Sequence, residues 1–213
     1  EISKINETES IDIKTLNPAS DFLIFELKPV KNRRYPDTTL LIKASAMEWE
    51  TIDFQIEHII EQLEGPQVFS EIVVITDRFK GPFLRQYTKP NHIEFENKLI
   101  ILKDQGYIDK IVFAPLEKKV IEKLFKKWFG YTVEESHCQN QQHLYTTLYG
   151  FETCKSDYIL QLDSDCIIAR INRDVDYLED MIEIFNKDKK AITVAFNIAK
   201  RETKEYHITI SNM

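Results

Sequence analysis

Tyr158-Ile-Leu-Gln-Leu-Asp-Ser-Asp-Cys-Ile-Ile168 is an apolar run that ends on two carboxylates one residue apart, Asp163 and Asp165. Carboxylate oxygens are hard ligands. Two of them at a strand end suit a divalent cation that fills its other positions with water and phosphate oxygens. A cation so held carries a diphosphate, which points to chemistry on a nucleotide-activated substrate. An acidic pair at a buried strand end is costly unless something compensates it, and a cation would. The competing explanation is a turn or cap at the strand end. Spacing alone does not decide. The chain holds a second pair, Asp174-Val-Asp176, and its composition gives about one such pair by chance. That second pair stands just before a helical segment at Tyr177, where an N-cap role accounts for it.

The elements that must position Asp163 and Asp165 follow from periodicity. Thr39–Ser45 and Glu71–Thr76 are short β-branched and apolar runs, as expected of buried parallel strands. Between them, Ile52, Ile56, Ile59, Ile60 and Leu63 fall on one helical face, and Gly65-Pro66 stops the helix. Residues 39–76 thus form a β-α-β unit. Residues 92–104 are ambiguous but favour a helix, and Lys110–Ala114 is another strand. Glu117–Phe129 places Val120, Ile121, Leu124, Phe125, Trp128 and Phe129 on one stripe ended by Gly130. A helix over 143–154 turns Leu144, Tyr145, Leu148 and Tyr149 inward. The Asp163 strand follows, then a helix from Tyr177, a strand over 191–198 and a last strand near His207–Ser211. Strands alternating with helices give an α/β fold, a mainly parallel open sheet with helices on both faces. Ligands bind such sheets at the carboxyl ends of the strands. Lys43–Ala46, Asp77–Arg78, Ala114–Pro115 and Asp163–Asp165 occupy those ends.

Composition narrows the classes. The chain has 213 residues, 43% of them hydrophobic, which supplies a sizeable core. A net charge of −7 argues against non-specific nucleic-acid binding. No apolar run approaches the roughly 20 residues that span a bilayer, and no secretory leader stands out. Three cysteines without C-x-x-C spacing suggest reduced thiols and a cytoplasmic setting. Only five glycines occur, with no glycine-rich phosphate loop. His137, Cys138 and His143 fit no standard zinc spacing. Trp49 and Trp128 stand at helical core positions, where packing accounts for them. Lys28, Lys31, Arg33 and Arg34 read as a solvated connector.

The residues before the acidic pair add to its meaning. Tyr149-Gly-Phe-Glu-Thr-Cys-Lys-Ser-Asp-Tyr-Ile-Leu-Gln-Leu-Asp-Ser-Asp165 resembles the central block of family 2 glycosyltransferases of the GT-A fold. Gly150, Cys154, Ser156, Asp157, Tyr158 and Asp163–Asp165 take the family's places in order. The close match covers about 20 residues, and the β-α-β layout extends it loosely over 39–198. The resemblance implies a Rossmann-like GT-A domain over 39–213, its acceptor-binding part short or truncated; residues 1–38, polar with one apolar run at Asp21–Leu27, read as an N-terminal arm and edge strand. It implies a UDP- or GDP-sugar donor, Mn²⁺ or Mg²⁺ held by Asp163 and Asp165, and a glycan, lipid or other hydroxyl acceptor. Peripheral membrane association at the inner face of the membrane goes with a lipid acceptor. Lys43, Ala44 and Ala46 would line the nucleotide, Asp77 would meet the base, and Asp163 and Ser164 would face the ribose and the metal's water shell.

The sequence departs from the pattern in two places. Thr147 and Leu148 stand where the family often has Arg-Asn, so the phosphate-facing cation falls to Lys155, Lys43 or Arg78. The usual proline and asparagine of the first strand's loop are absent. Only 48 residues follow Asp165, and Glu202, Glu205 and His207 read as solvated, so no catalytic base is assigned. Two alternatives stand beside a glycosyltransferase. A nucleotidyltransferase would carry a glycine-rich basic loop after the first strand, which Lys43–Trp49 lacks. A non-catalytic nucleotide-sugar-binding module would account for the short C-terminal part.

Overall fold

The computed structural model describes residues 37–65, 69–80, 89–137, 144–196 and 208–212. The chain divides between Arg34 and Tyr35, and everything described belongs to the second unit, Tyr35–Met213. The expected arm and edge strand over 1–36, with the basic connector, lie outside the described residues.

Four strands form one sheet: β1 (Thr38–Lys43), β2 (Glu71–Asp77), β3 (Lys110–Ala114) and β4 (Tyr158–Asp163). Every pairing is parallel and the order is β3-β2-β1-β4. The helices are α1 (Ile52–Leu63), α2 (His92–Asp104), α3 (Lys118–Phe129), α4 (Leu144–Thr153) and α5 (Tyr177–Lys187). This is a Rossmann-like α/β arrangement.

Alternation along the central strands explains the layers. Successive strand side chains point to opposite faces. Leu40 and Ile42 of β1 pack with α1, α2 and α5, while Leu41 packs with α3 and α4. Both faces are covered, so β1 and β2 read as unbroken apolar runs. β4 pairs only with β1 among the described residues and is half-buried along its length. That edge position is why its pattern admits Gln161.

The helical stripe of α1 is buried as expected. On α2 only Phe95, Leu99 and Leu102 are buried, while Ile93, Ile100 and Ile101 face outward, so its periodicity is weak. On α3 the stripe is shorter than expected. Ile121, Leu124 and Phe125 are buried, but Trp128 and Phe129 lie beyond the core and are more than 40% exposed. Trp49 does pack on the core. On α4 the inward positions are Tyr145, Thr146, Leu148 and Gly150, and Leu144 is exposed instead. Here Thr146 finds a polar partner inside, which a hydrophobic stripe does not reveal.

The segment after α5 departs from the expected sheet. β5 (Ala191–Phe196) pairs antiparallel with β6 (Ile208–Asn212) in a separate two-stranded sheet. Antiparallel neighbours need no helical crossover.

Candidate active site at the strand-order reversal

The strand order reverses between β1 and β4, because β1 is followed in sequence by β2 on one side and has β4 on the other. Side chains at the carboxyl ends of two such strands border an open crevice. Lys43 and Asp163 are the facing residues at those ends. Their side chains form an ion pair at 3.1 Å. Gln161, two residues earlier on the same side of β4, donates its amide to Asp163 Oδ1 at 3.0 Å. Asp163 is therefore pinned by one cation and one amide, with its side chain still 46% exposed.

Strand geometry stops there. Ser164 still donates its backbone N–H to the Lys43 carbonyl at 2.8 Å, and Cys166 then closes a turn on the Asp163 carbonyl at 3.1 Å. The two carboxylates therefore occupy a tight turn rather than a continued strand. Ser164 is buried and its hydroxyl is hydrogen-bonded to Glu48 Oε2. Glu48 belongs to a capping box on the short 3₁₀ turn Ala46–Glu48, in which Ser45 accepts from the Met47 N–H at 3.3 Å. The pattern Ser45-x-x-Glu48 is the sequence signal that could have found Glu48. One acidic side chain thus ties the loop after β1 to the turn after β4.

The other expected site residues divide into three groups. Lys43, Asp163, Ser164 and Asp165 come together at the crevice. Ala44 and Ala46 closely follow Lys43 in the chain, but their side chains are buried in the core, and the Ala44 N–H continues the ladder to the Ile75 carbonyl. Asp77 ends β2 on the same edge, but its oxygens serve the chain itself. Oδ1 accepts from the Phe79 N–H at 2.9 Å and Oδ2 from the Thr146 hydroxyl at 2.5 Å. Phe79 in turn stacks on the buried His137 ring, whose Nδ1 pairs with the Ser136 hydroxyl at 2.8 Å. His137 therefore has a packing role; Cys138 and His143 lie outside the described residues.

Arg78 and Lys155 do not join the site. Arg78 makes a two-pronged pair with Glu96 of α2, both bonds 2.8 Å, and lies over the Phe113 ring. The Arg78 guanidinium holds the Glu96 carboxyl below its usual range. Lys155 precedes β4, so it stands at the amino end of the sheet. Six strand residues at about 3.3 Å each separate that end from Asp163. Of the three candidate phosphate-facing cations, Lys43 alone is at the carboxyl edge beside the acidic pair.

Arg170 is a residue the sequence did not single out. Its guanidinium donates to the carbonyls of Gln62, Glu64, Gly65, Arg173 and Val175. It also lies over the Tyr177 ring. The segment after Asp165 is thereby fastened to the end of α1, and His58 of α1 donates to the Ile168 carbonyl at 2.9 Å. Asp176 caps α5 by accepting from the Glu179 N–H at 3.1 Å, the expected role of the second acidic pair.

Among the described residues no group of three or more His, Cys, Asp or Glu side chains is placed to hold a metal. Two carboxylates one residue apart fit a Mg²⁺-like ion that takes one or two protein ligands and completes its shell with phosphate and water. They do not fit a closed protein cage. Among the described residues no helix is long and apolar enough to cross a membrane. Comparison of the chain with protein-family models, with curated proteins and with solved structures finds no match.

Proposed function

We propose that this chain is a metal-dependent glycosyltransferase with a GT-A nucleotide-binding core, acting on a UDP- or GDP-sugar and a glycan, lipid or other hydroxyl acceptor. The observation that carries the reading is the position of Asp163 and Asp165 at the carboxyl end of β4, where the strand order reverses. The Tyr149–Asp165 block that resembles family 2 glycosyltransferases delivers them there through α4 and β4. A nucleoside diphosphate leaves with negative charge on its phosphate oxygens, and a bound divalent cation supplies Lewis-acid stabilisation of that charge. Asp165 and Asp163, the latter oriented by Lys43 and Gln161, would hold the ion. Ser164 and Glu48 fix the turn. Lys43 adds a positive charge beside the diphosphate position.

Calorimetry of the chain with UDP and GDP, each with and without Mn²⁺, tests the reading. Binding is expected only with Mn²⁺, and Asp165→Ala should abolish it while leaving the melting temperature within a few degrees. Affinity for every nucleoside diphosphate that ignores both Mn²⁺ and the substitution would refute it.

A further inference from the structure

β4 closes one edge of the parallel sheet, and the hydrogen bonds on its inner side fix what its outer side offers. Tyr158 donates its backbone N–H to the Asp37 carbonyl at 3.1 Å, and Ser164 donates its own to the Lys43 carbonyl at 2.8 Å. Along a strand the backbone groups turn to alternate sides, residue by residue. Tyr158, Leu160, Leu162 and Ser164 therefore address β1. Ile159, Gln161 and Asp163 turn their N–H and C=O groups outward. The Asp163 carbonyl accepts from Cys166 in the turn that follows. That leaves three N–H groups and the carbonyls of Ile159 and Gln161, and no strand pairs with them among the described residues.

This edge lacks the devices that keep an open strand from pairing, such as proline, lysine or a bulge. Tyr158–Asp163 contains neither proline nor lysine, and its pairing with β1 runs without a register shift. Both faces beside the edge are packed. Leu160 and Leu162 lie against the core shared by α1 and α5, and Ile159 against the core shared by α3 and α4. Tyr158 meets the Phe185 ring of α5, centroids 5.5 Å apart. An added strand would meet a ready backbone ladder flanked by apolar side chains.

Charge selects the occupant. Residues 157–165 carry three aspartates, Asp157, Asp163 and Asp165, and no basic residue. A second copy paired antiparallel about Gln161 would set Asp157 of each chain against Asp165 of the other, and like charges placed opposite disfavour it. A strand with a cation at each end would meet carboxylates at both ends of the edge. We propose that the outer edge of β4 binds an extended, basic-flanked segment of a partner protein as a further strand of the sheet. Backbone bonds to Ile159, Gln161 and Asp163 give the affinity, and the aspartates at the two ends select the cations. The proposal stands whether or not the crevice binds a nucleotide.

Hydrogen exchange of the full chain, read by NMR with and without the blocked peptide Lys-Val-Thr-Val-Thr-Val-Lys, tests it. The Ile159, Gln161 and Asp163 amides should exchange readily in the chain alone and slow by at least about tenfold when the peptide saturates it. Calorimetry should find this peptide binding on the order of tenfold more tightly than its Glu-flanked counterpart. N-methylation of its three central residues should abolish binding, because both edges of the peptide then lose donors. Gln161→Pro removes an N–H that lies outside the ladder to β1, so the sheet keeps its bonds while peptide affinity falls at least about tenfold. Gln161→Thr keeps that N–H and should retain binding. Slow exchange of these amides in the chain alone, no binding of the Lys-flanked peptide, tighter binding of the Glu-flanked one, binding that survives N-methylation, or equal loss with both Gln161 variants would overturn the proposal. So would self-association of the chain that protects the same amides without peptide.

Discussion

Gly150 is where α4 comes closest to the sheet, and replacing it by alanine tests how the site's second strand end is held. A Cβ there would stand 2.9 Å from Leu41 Cδ2 and 3.3 Å from Ile75 Cγ2. Leu41 and Ile75 are fully buried in β1 and β2 and have little room to withdraw. Overpacking of this kind costs about 1–3 kcal/mol. Alanine regains about 1 kcal/mol of helix propensity over glycine. The net expectation for Gly150→Ala is a loss of about 1 kcal/mol, or about 2–4 °C in melting temperature for a chain of this size. The mechanism is testable separately from the number. Leu41→Ala alone should cost about 2–5 kcal/mol, but it removes the closest atom. In that background Gly150→Ala should turn neutral or stabilising, a coupling of about 1–2 kcal/mol. Urea titrations of the four proteins measure it. Additivity within about 0.5 kcal/mol, or a Gly150→Ala single variant more stable than the parent, would refute the close-packing argument.

Two other perturbations act on contacts outside the crevice. Glu96 has its carboxyl pKa lowered by the Arg78 guanidinium, so the pair contributes above the unfolded value near 4.5 and fades as pH falls through the folded value. Arg78→Ala should therefore lower the urea midpoint at pH 7, and its difference from the parent should shrink in titrations run below pH 4.5. Arg170→Ala removes donors to five carbonyls, and the segment 166–176 should open more readily by roughly 2 kcal/mol, about thirtyfold in limited proteolysis. Arg170→Lys should recover only part of this, because one ammonium cannot span both sets of carbonyls.

The elements that build the sheet were legible because their signals are local. β3 and the start of β4 fall where apolar runs begin, and the α1 stripe is buried residue for residue. What escaped depends on contacts between distant segments. Nothing near Arg78 in sequence announces Glu96, eighteen residues on, so a cation beside a strand end looked available for phosphate. Lys155 follows the glycine helix closely, yet a parallel strand separates it from the acidic pair, and linear nearness misled. Trp128 belongs to the apolar stripe by spacing, but α3 outruns the layer it covers, and periodicity carries no information about where a core ends. The pairing of β5 with β6 rather than with the parallel sheet is a matter of topology, to which strand propensity is blind.

The charges at the reversal point make a further demand on the proposed reading. Asp163, Asp165 and Glu48 bring three negative charges to the ends of β1 and β4, and Lys43 brings one positive. Counted as ionised, these four leave an excess of two negative charges, which a diphosphate alone would meet as repulsion. A divalent cation cancels that excess, so cation and nucleotide should each tighten the other's binding by the same factor. Lys43→Met separates the two ligands. It leaves Asp163 without its cation partner, so Mn²⁺ alone should bind more tightly. It also removes a positive charge from beside the diphosphate, so UDP or GDP at saturating Mn²⁺ should bind more weakly. A surface-exposed pair of this kind is worth up to about 1 kcal/mol, or roughly fivefold in each direction. Calorimetry of the metal alone and of the nucleotide at saturating metal measures the two shifts. Movement of both affinities in the same direction would mean that Lys43 only props the strand ends and takes no part in balancing the site's charge.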